Sequence, residues 1–245
     1  MLDNNKPSDL YIISEKFNLC IKIKPNGYIP KSGFLLINSM HKFSFLGKVV
    51  ADVGCGETGI IAHYLYARQA DSVWGIDIDF AAIEHAKKCS NVSGCINWLS
   101  SDFCFMKNKK FDVIVSNPPQ MPMSNKNRRK LSNYHDSPGK TGKELIFKIL
   151  KESSSCLNKD GAVFMLIFDF LGVTESYNSF PSVKTVSREY GFSCDIIDVY
   201  SSVIRNGGQT EKNISWIKSI YPKYNFKKDD SGNLCYNTMV VKFQL

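Results

Sequence analysis

Four short runs in this chain combine residue types and spacings that could do chemistry. The first is Asp52-Val53-Gly54-Cys55-Gly56-Glu57-Thr58-Gly59, whose glycines follow a G-x-G-x-x-G pattern. Glycine serves where a chain turns sharply and where a ligand must approach the backbone closely. The second, Gly75-Ile76-Asp77-Ile78, places an acid that can accept hydrogen bonds from both hydroxyls of a ribose. The third, Ser101-Asp102-Phe103, sets a carboxylate beside an aromatic ring, a pair suited to the edge and face of a flat base. The fourth is Asn117-Pro118-Pro119-Gln120. Its prolines fix φ and remove two amide donors, and a residue before proline is held extended. The Asn117 side-chain oxygen and the Pro118 carbonyl can then accept both hydrogens of one planar NH2 group.

Such chemistry needs the four runs at one edge of one scaffold. The hydrophobic pattern predicts strands at residues 48–53, 72–78, 96–99, 111–116, 162–168, 194–200 and 236–243. Between them it predicts helices at 59–68, 80–89, 143–157 and 182–190. Strands alternating with helices imply an α/β fold, a mostly parallel sheet with helices on both faces. Open sheets of this kind bind ligands at the carboxyl ends of their strands, where all four runs fall. Upstream, 10–13 and 19–23 read as a short hairpin followed by a Pro25-Asn26-Gly27 turn, and 32–42 as a helix capped by Ser32. The expectation is a single domain over 1–245. Residues 1–42 form its hairpin and helix, 48–245 its core, and polar 201–233 an insertion before the last strand, with a helix near 211–220.

The 245 residues are 43% hydrophobic and 22% charged, the make-up of a soluble globular protein. The longest apolar run, 162–168, is far too short to cross a bilayer, and Met1-Leu2-Asp3-Asn4-Asn5-Lys6 lacks a secretory pattern. A cytoplasmic address and no membrane partner are expected. Eight cysteines are scattered without a Cys-x-x-Cys pair, so neither a metal site nor a disulfide scaffold is expected. The net charge of +8 favours anionic partners. Between Met121 and Lys143 stand Lys126, Arg128, Arg129, Lys130, Lys140 and Lys143 against one acid, Asp136. The basic loop 126–130 suits an anionic protein or nucleic-acid substrate, with Tyr134 as a stacking ring, or is simply solvated.

The glycine loop alone suits a nicotinamide-dependent oxidoreductase, a sulfonium nucleoside, or a noncatalytic scaffold that keeps the fold. Glu57, at the start of the following helix, would oppose a docking pyrophosphate. Asp52 either engages a charged amino-acid tail or caps the next helix.

Together with Tyr28-Ile29-Pro30-Lys31-Ser32-Gly33-Phe34-Leu35-Leu36, the four runs resemble the motif set of class I S-adenosylmethionine-dependent methyltransferases with an Asn-Pro-Pro motif. The nearest group is the release-factor glutamine methyltransferases and their small-domain relatives, and the likeness covers about residues 28 to 200. The resemblance implies a Rossmann-like sheet of seven strands with the last antiparallel, and S-adenosyl-L-methionine as cofactor. It implies cofactor contacts from Tyr28, Asp52, Gly54, Cys55, Gly56, Gly59, Asp77, Ile78, Asp102, Phe103 and Asn117. Asn117, Pro118 and Pro119 would carry methyl transfer to a protein glutamine or a nucleic-acid base amine. Gln120, Arg128, Arg129 and Tyr134 are the candidate substrate contacts. Gln120 departs from the aromatic residue that follows Asn-Pro-Pro in those enzymes, and the small-domain relative works with a small partner subunit.

Overall fold

The computed structural model describes residues 10–24, 29–103, 108–129 and 138–245. The hairpin β1 (Leu10–Ser14) and β2 (Leu19–Ile23) leads to α1 (Lys31–Met40). There follow β3 (Val49–Val53), α2 (Ile60–Ala67), β4 (Ser72–Asp77), α3 (Phe80–Ala86), β5 (Asn97–Ser100) and β6 (Phe111–Ser116). The chain continues through α4 (Asn125–Arg128), α5 (Glu144–Cys156), β7 (Leu157–Phe168), α6 (Val183–Glu189) and β8 (Ser193–Val203). It ends with α7 (Gln209–Ile220), β9 (Lys227–Lys228) and β10 (Leu234–Gln244).

The sheet order is β5-β4-β3-β6-β7-β10-β8. Strands β3 to β7 run parallel to their neighbours, whereas β10 is antiparallel to both β7 and β8. This is the expected seven-stranded α/β sheet, with the two-residue β9 added on β10. The strand order reverses at β3, which has β4 on one side and β6 on the other, and that switch point opens a crevice at the carboxyl edge. Successive β6 residues point to opposite faces. Ile114 packs with Ile146, Leu150 and Val183 from α5 and α6, and Val113 and Val115 pack with Leu36, Ile61 and Leu65 from α1 and α2. Cover on both faces explains why the central strands are continuous apolar runs.

Several boundaries differ from the sequence reading. Leu157 opens β7 rather than ending the preceding helix, because a buried leucine fits either pattern. Strands β8 and β10 have 11 residues each. Their polar ends still pair, as in the Ser202–Thr238 hydroxyl contact at 2.9 Å, so the insertion shrinks to 204–233. Helix α1 starts at Lys31 with Pro30 at its N-cap and no side-chain cap, so Ser32 lies inside the first turn. Gly33 in that turn lets α1 lie against α2, since a Cβ there would sit 3.1 Å from Ile60 Cγ2. The Pro25-Asn26-Gly27 turn lies outside the described residues. Among the described residues, no helix is long and apolar enough to cross a membrane.

Candidate active site at the carboxyl edge

Strand register assembles the site. Val53 at the end of β3 pairs with Ile76 on one side and Ser116 on the other, and Asp77 pairs with Ser100. The glycine loop therefore leaves the sheet between Asp77 and Asn117, with Ser101 and Asp102 one strand beyond. Neighbouring strands stand about 4.8 Å apart, so the three steps from Ser100 to Asn117 span roughly 14 Å. An extended nucleoside with an amino-acid tail can lie along such an edge.

Gly54 (φ +74°) and Gly56 (φ +64°) adopt the left-handed conformation that favours glycine, and a Cβ on either would meet nothing within 4 Å. Open space thus lies against the turn. Three loop amides are already committed: Gly54 and Cys55 donate to Ile76 O at 2.8 and 3.1 Å, and Gly56 donates to Asp77 Oδ2 at 2.8 Å. Amides spent on β4 are not offered to a pyrophosphate, which sets this loop apart from a dinucleotide cradle. The expected repulsion by Glu57 carries less of that distinction, because its carboxylate is paired with Lys24 Nζ at 2.6 Å. Gly59, expected at the cofactor, instead answers to packing. A Cβ there, or on Gly75, would lie 2.3 Å from the Trp98 ring.

Asp77 is half-buried and accepts from Gly56 N on one oxygen and from Asp79 N, at 2.9 Å, on the other. Each carboxylate oxygen has two lone pairs, which leaves acceptor capacity for ribose hydroxyls. Ile78 is 45% exposed at the tip of β4, an apolar face beside that acid. Phe103 is 6% exposed and packs in the same core cluster as Ile76, so it supports the site from beneath rather than offering a ring to a base. Asp102 accepts from Lys148 Nζ at 2.5 Å, bringing α5 to this end of the edge.

Asp52 makes the helix-capping contact and keeps its second oxygen uncommitted. It is fully buried, and its Oδ2 accepts from Ala62 N at 3.0 Å, capping the third residue of α2. Its Oδ1 has no hydrogen-bond partner among the described residues. Burial pushes the carboxyl up to about 8; the Ala62 amide offsets part of this and the Asp77 charge adds to it. The Cys55 thiol is likewise pushed well above its ordinary value by burial and by both carboxylates, which makes it inert. An uncommitted buried carboxylate oxygen, open space at two left-handed glycines and an exposed isoleucine together fit a cationic nucleoside amino acid.

Asn117 is half-buried, and its Nδ2 donates to Ser32 Oγ at 2.9 Å. Ser116 Oγ donates to Val53 O at 2.7 Å, tying the tip of β6 to β3. Pro118 is buried and Pro119 exposed. Gln120, expected to touch substrate, is 3% exposed and turned into the sheet. Its Nε2 donates to Leu166 O at 2.7 Å, and its Oε1 accepts from Phe168 N at 2.8 Å. It satisfies the free backbone groups at the end of β7 and so rivets the Asn-Pro-Pro turn to that strand.

Beyond the turn, Lys126 and Arg129 are exposed, and Arg128 donates to Asn125 Oδ1. Asn127 Nδ2 reaches Asn213 Oδ1 at 2.9 Å, Trp216 Nε1 donates to Lys140 O at 3.1 Å, and Tyr221 OH donates to Thr141 O at 2.7 Å. Helix α7 of the insertion thus clamps both described ends of the segment that follows Asn-Pro-Pro-Gln. Lys143, counted above with the loop cations, is buried and donates to Pro181 O at 2.9 Å; burial lowers its ammonium to about 8. Tyr28, Lys130, Tyr134 and Asp136 lie outside the described residues. Sequence reasoning gave Ser32 only as a helix cap and did not foresee its contact with Asn117, the Trp98 ring against two glycines, or the contacts of Asn213, Trp216 and Tyr221. Only Trp98 carried a usable signal, a large ring one strand away from Gly75.

The family described as "Methyltransferase small domain" matches residues 28–194. A candidate protein N5-glutamine methyltransferase of Methanocaldococcus jannaschii is 30% identical over 172 residues, 68% of this chain and 85% of the relative. A candidate methyltransferase of the same organism is 26% identical over 180 residues, 64% of this chain and 67% of the relative. Among solved structures, the T. thermophilus 16S rRNA N2 G1207 methyltransferase, in complex with AdoMet and guanosine, superposes with TM-score 0.55 and 17% identity, covering 79% of this chain and 49% of that one. The YcgJ protein of Bacillus subtilis gives TM-score 0.53 and 11% identity over 87% and 97% of the two chains. At those identities the two structures show a shared fold. With the cradle at its switch point and a match over most of its length, the chain belongs to the methyltransferase small domain family and is an S-adenosylmethionine-dependent methyltransferase.

Proposed function

We propose that the enzyme methylates a planar NH2 nitrogen on a macromolecule, and that this nitrogen is the side-chain amide of a protein glutamine. The observation that carries the reading is the Asn117 carboxamide, held at the carboxyl end of β6 beside the glycine loop with its NH2 group committed to Ser32. When bound, S-adenosylmethionine supplies a methyl group on a positively charged sulfur, already electrophilic. Asn117 Oδ1 and the Pro118 carbonyl each accept one hydrogen of the substrate NH2. That turns the delocalised nitrogen lone pair toward the methyl and stabilises the positive charge that builds on nitrogen. Alignment supplies much of the remaining rate, and the proton released after transfer passes to water. Asp77 is assigned to the ribose, Ile78 to the adenine face and Asp52 Oδ1 to the cationic tail.

Gln120 favours an amide over a base. It faces inward, so no ring at position 120 offers the stacking surface that a flipped base uses. The 30% identical relative, described as acting on protein glutamine, supports the same choice. The exposed cations Lys126 and Arg129 favour the second reading, a nucleic-acid base amine. Seven described cysteines carry free thiols, which suits a cytoplasmic address.

Methyl-labelled S-adenosylmethionine, incubated with the enzyme and cell extract and then treated with protease or nuclease, separates the readings. Label released by protease and resistant to nuclease is expected. Release by nuclease alone would replace glutamine with a base, and label in neither fraction would overturn macromolecular methylation.

A further inference from the structure

Resting on the methyl-transfer reading above, we propose that Ser32 of α1 is a positioning residue that pins the Asn117 carboxamide by its NH2 end and leaves its oxygen for the substrate. A carboxamide has nearly the same shape at both ends, so a half-turn exchanges its oxygen for its NH2 group. The two orientations are chemically opposite here. With the oxygen outward, Asn117 accepts from a substrate NH2; with the NH2 outward, two donors face each other and the nitrogen lone pair loses its guide.

The bonds that fix the backbone of this turn leave the Asn117 carboxamide free to rotate. Ser116 Oγ binds the β3 carbonyl, and Gln120 binds the end of β7, but neither contact touches the Asn117 carboxamide. Ser32 Oγ does, accepting from Nδ2 at 2.9 Å across 85 positions of sequence. A hydroxyl can bond either end of an amide, so the contact supplies a fixed carboxamide plane; with Nδ2 on Ser32, Oδ1 is the end left for the substrate.

The serine is delivered by a firmly seated helix. Pro30 stands at its N-cap, Leu36 and Ile37 are fully buried, and Gly33 packs closely on Ile60. At the far end, Asn38 Nδ2 and Ser39 Oγ meet the Tyr200 hydroxyl on β8 at 3.1 and 2.9 Å. Helix α1 thereby completes the constellation that reads the substrate nitrogen.

The test compares wild type, Ser32→Ala and Ser32→Thr. Methyl transfer is measured from labelled S-adenosylmethionine into the extract fraction that wild type labels, and affinity for S-adenosylhomocysteine by calorimetry. Ser32→Ala should lower turnover about 10- to 100-fold, the scale of a misaligned reacting group. Its S-adenosylhomocysteine affinity should stay unchanged, and Ser32→Thr, which keeps the hydroxyl, should restore the rate. Full activity in Ser32→Ala, or a loss of rate matched by an equal loss of S-adenosylhomocysteine affinity, would overturn the assignment.

A second readout does not depend on turnover. In 15N-labelled protein, the Asn117 NH2 resonances, identified by their disappearance in Asn117→Asp, should move on Ser32→Ala and return in Ser32→Thr. Unmoved resonances would refute the hydrogen bond. Failure of wild type to label any fraction would instead count against the methyl-transfer reading, leaving the resonance test to decide Ser32 separately.

Discussion

At the scale of single residues, Asp52 holds a helix start with one oxygen and keeps the other buried without a partner among the described residues, and its ionisation reports the cost of that burial. Its folded value of about 8 lies above the ordinary carboxylate range near 4. Below about pH 4 the residue is protonated in both states and contributes nothing. As pH rises from about 4 to about 8 the unfolded chain gives up the proton first, so stability falls across that window and the full penalty stands above it. Asp52→Asn, which cannot ionise, should therefore melt higher than ligand-free wild type by a margin that grows from pH 5 to pH 8 and closes near pH 4; a margin independent of pH in calorimetric scans would contradict this. Asn117→Ala should abolish turnover while sparing S-adenosylhomocysteine affinity, and a fully active variant would remove Asn117 from the mechanism. Residue types at this scale were legible, but directions were not. That Gln120 is unusual can be read from its neighbours in sequence. That it faces inward depends on Phe168 N and Leu166 O, unpaired backbone groups 48 and 46 positions away.

At the scale of elements, Trp98 shows how one ring can impose glycine on two neighbours. Gly75 and Trp98 are direct partners across β4 and β5, and the N-cap Gly59 of α2 lies against the same ring. Gly75→Ala should cost about 1–3 kcal/mol in urea unfolding, the usual penalty of overpacking. Combining it with Trp98→Leu should recover part of that loss, and simple additivity of the two changes would rule out the ring as the cause. The glycines were visible in the sequence as a loop motif. The reason for Gly59 was not, because it arises only once β5 is placed beside β4. Strand and helix identities were otherwise legible from alternation. Errors gathered where one residue satisfies both patterns, as Leu157 does between α5 and β7.

At the scale of the molecule, the insertion before the last strand folds back on the segment that follows the Asn-Pro-Pro turn. Asn213, Trp216 and Tyr221 hold the segment after Asn-Pro-Pro-Gln through three hydrogen bonds. Trp216→Ala should loosen that segment and lower turnover on the macromolecular substrate several-fold, leaving S-adenosylhomocysteine affinity in place; unchanged turnover would show that the clamp is only structural. The mostly parallel α/β sheet was legible because strands alternate with helices along the chain, whereas the strand order came only with the structure. The clamp was not legible, since nothing in a polar stretch at 204–233 announces that it folds back on Asn127, Lys140 and Thr141.

The account as a whole rests on where the cofactor lies, and a crystal structure of the enzyme soaked with S-adenosylhomocysteine tests it most directly. The ribose hydroxyls should sit on Asp77, the adenine against Ile78 and the sulfur opposite Asn117 Oδ1. A nucleoside bound away from the tips of β3 and β4, or an Asn117 oxygen turned from the sulfur, would contradict it.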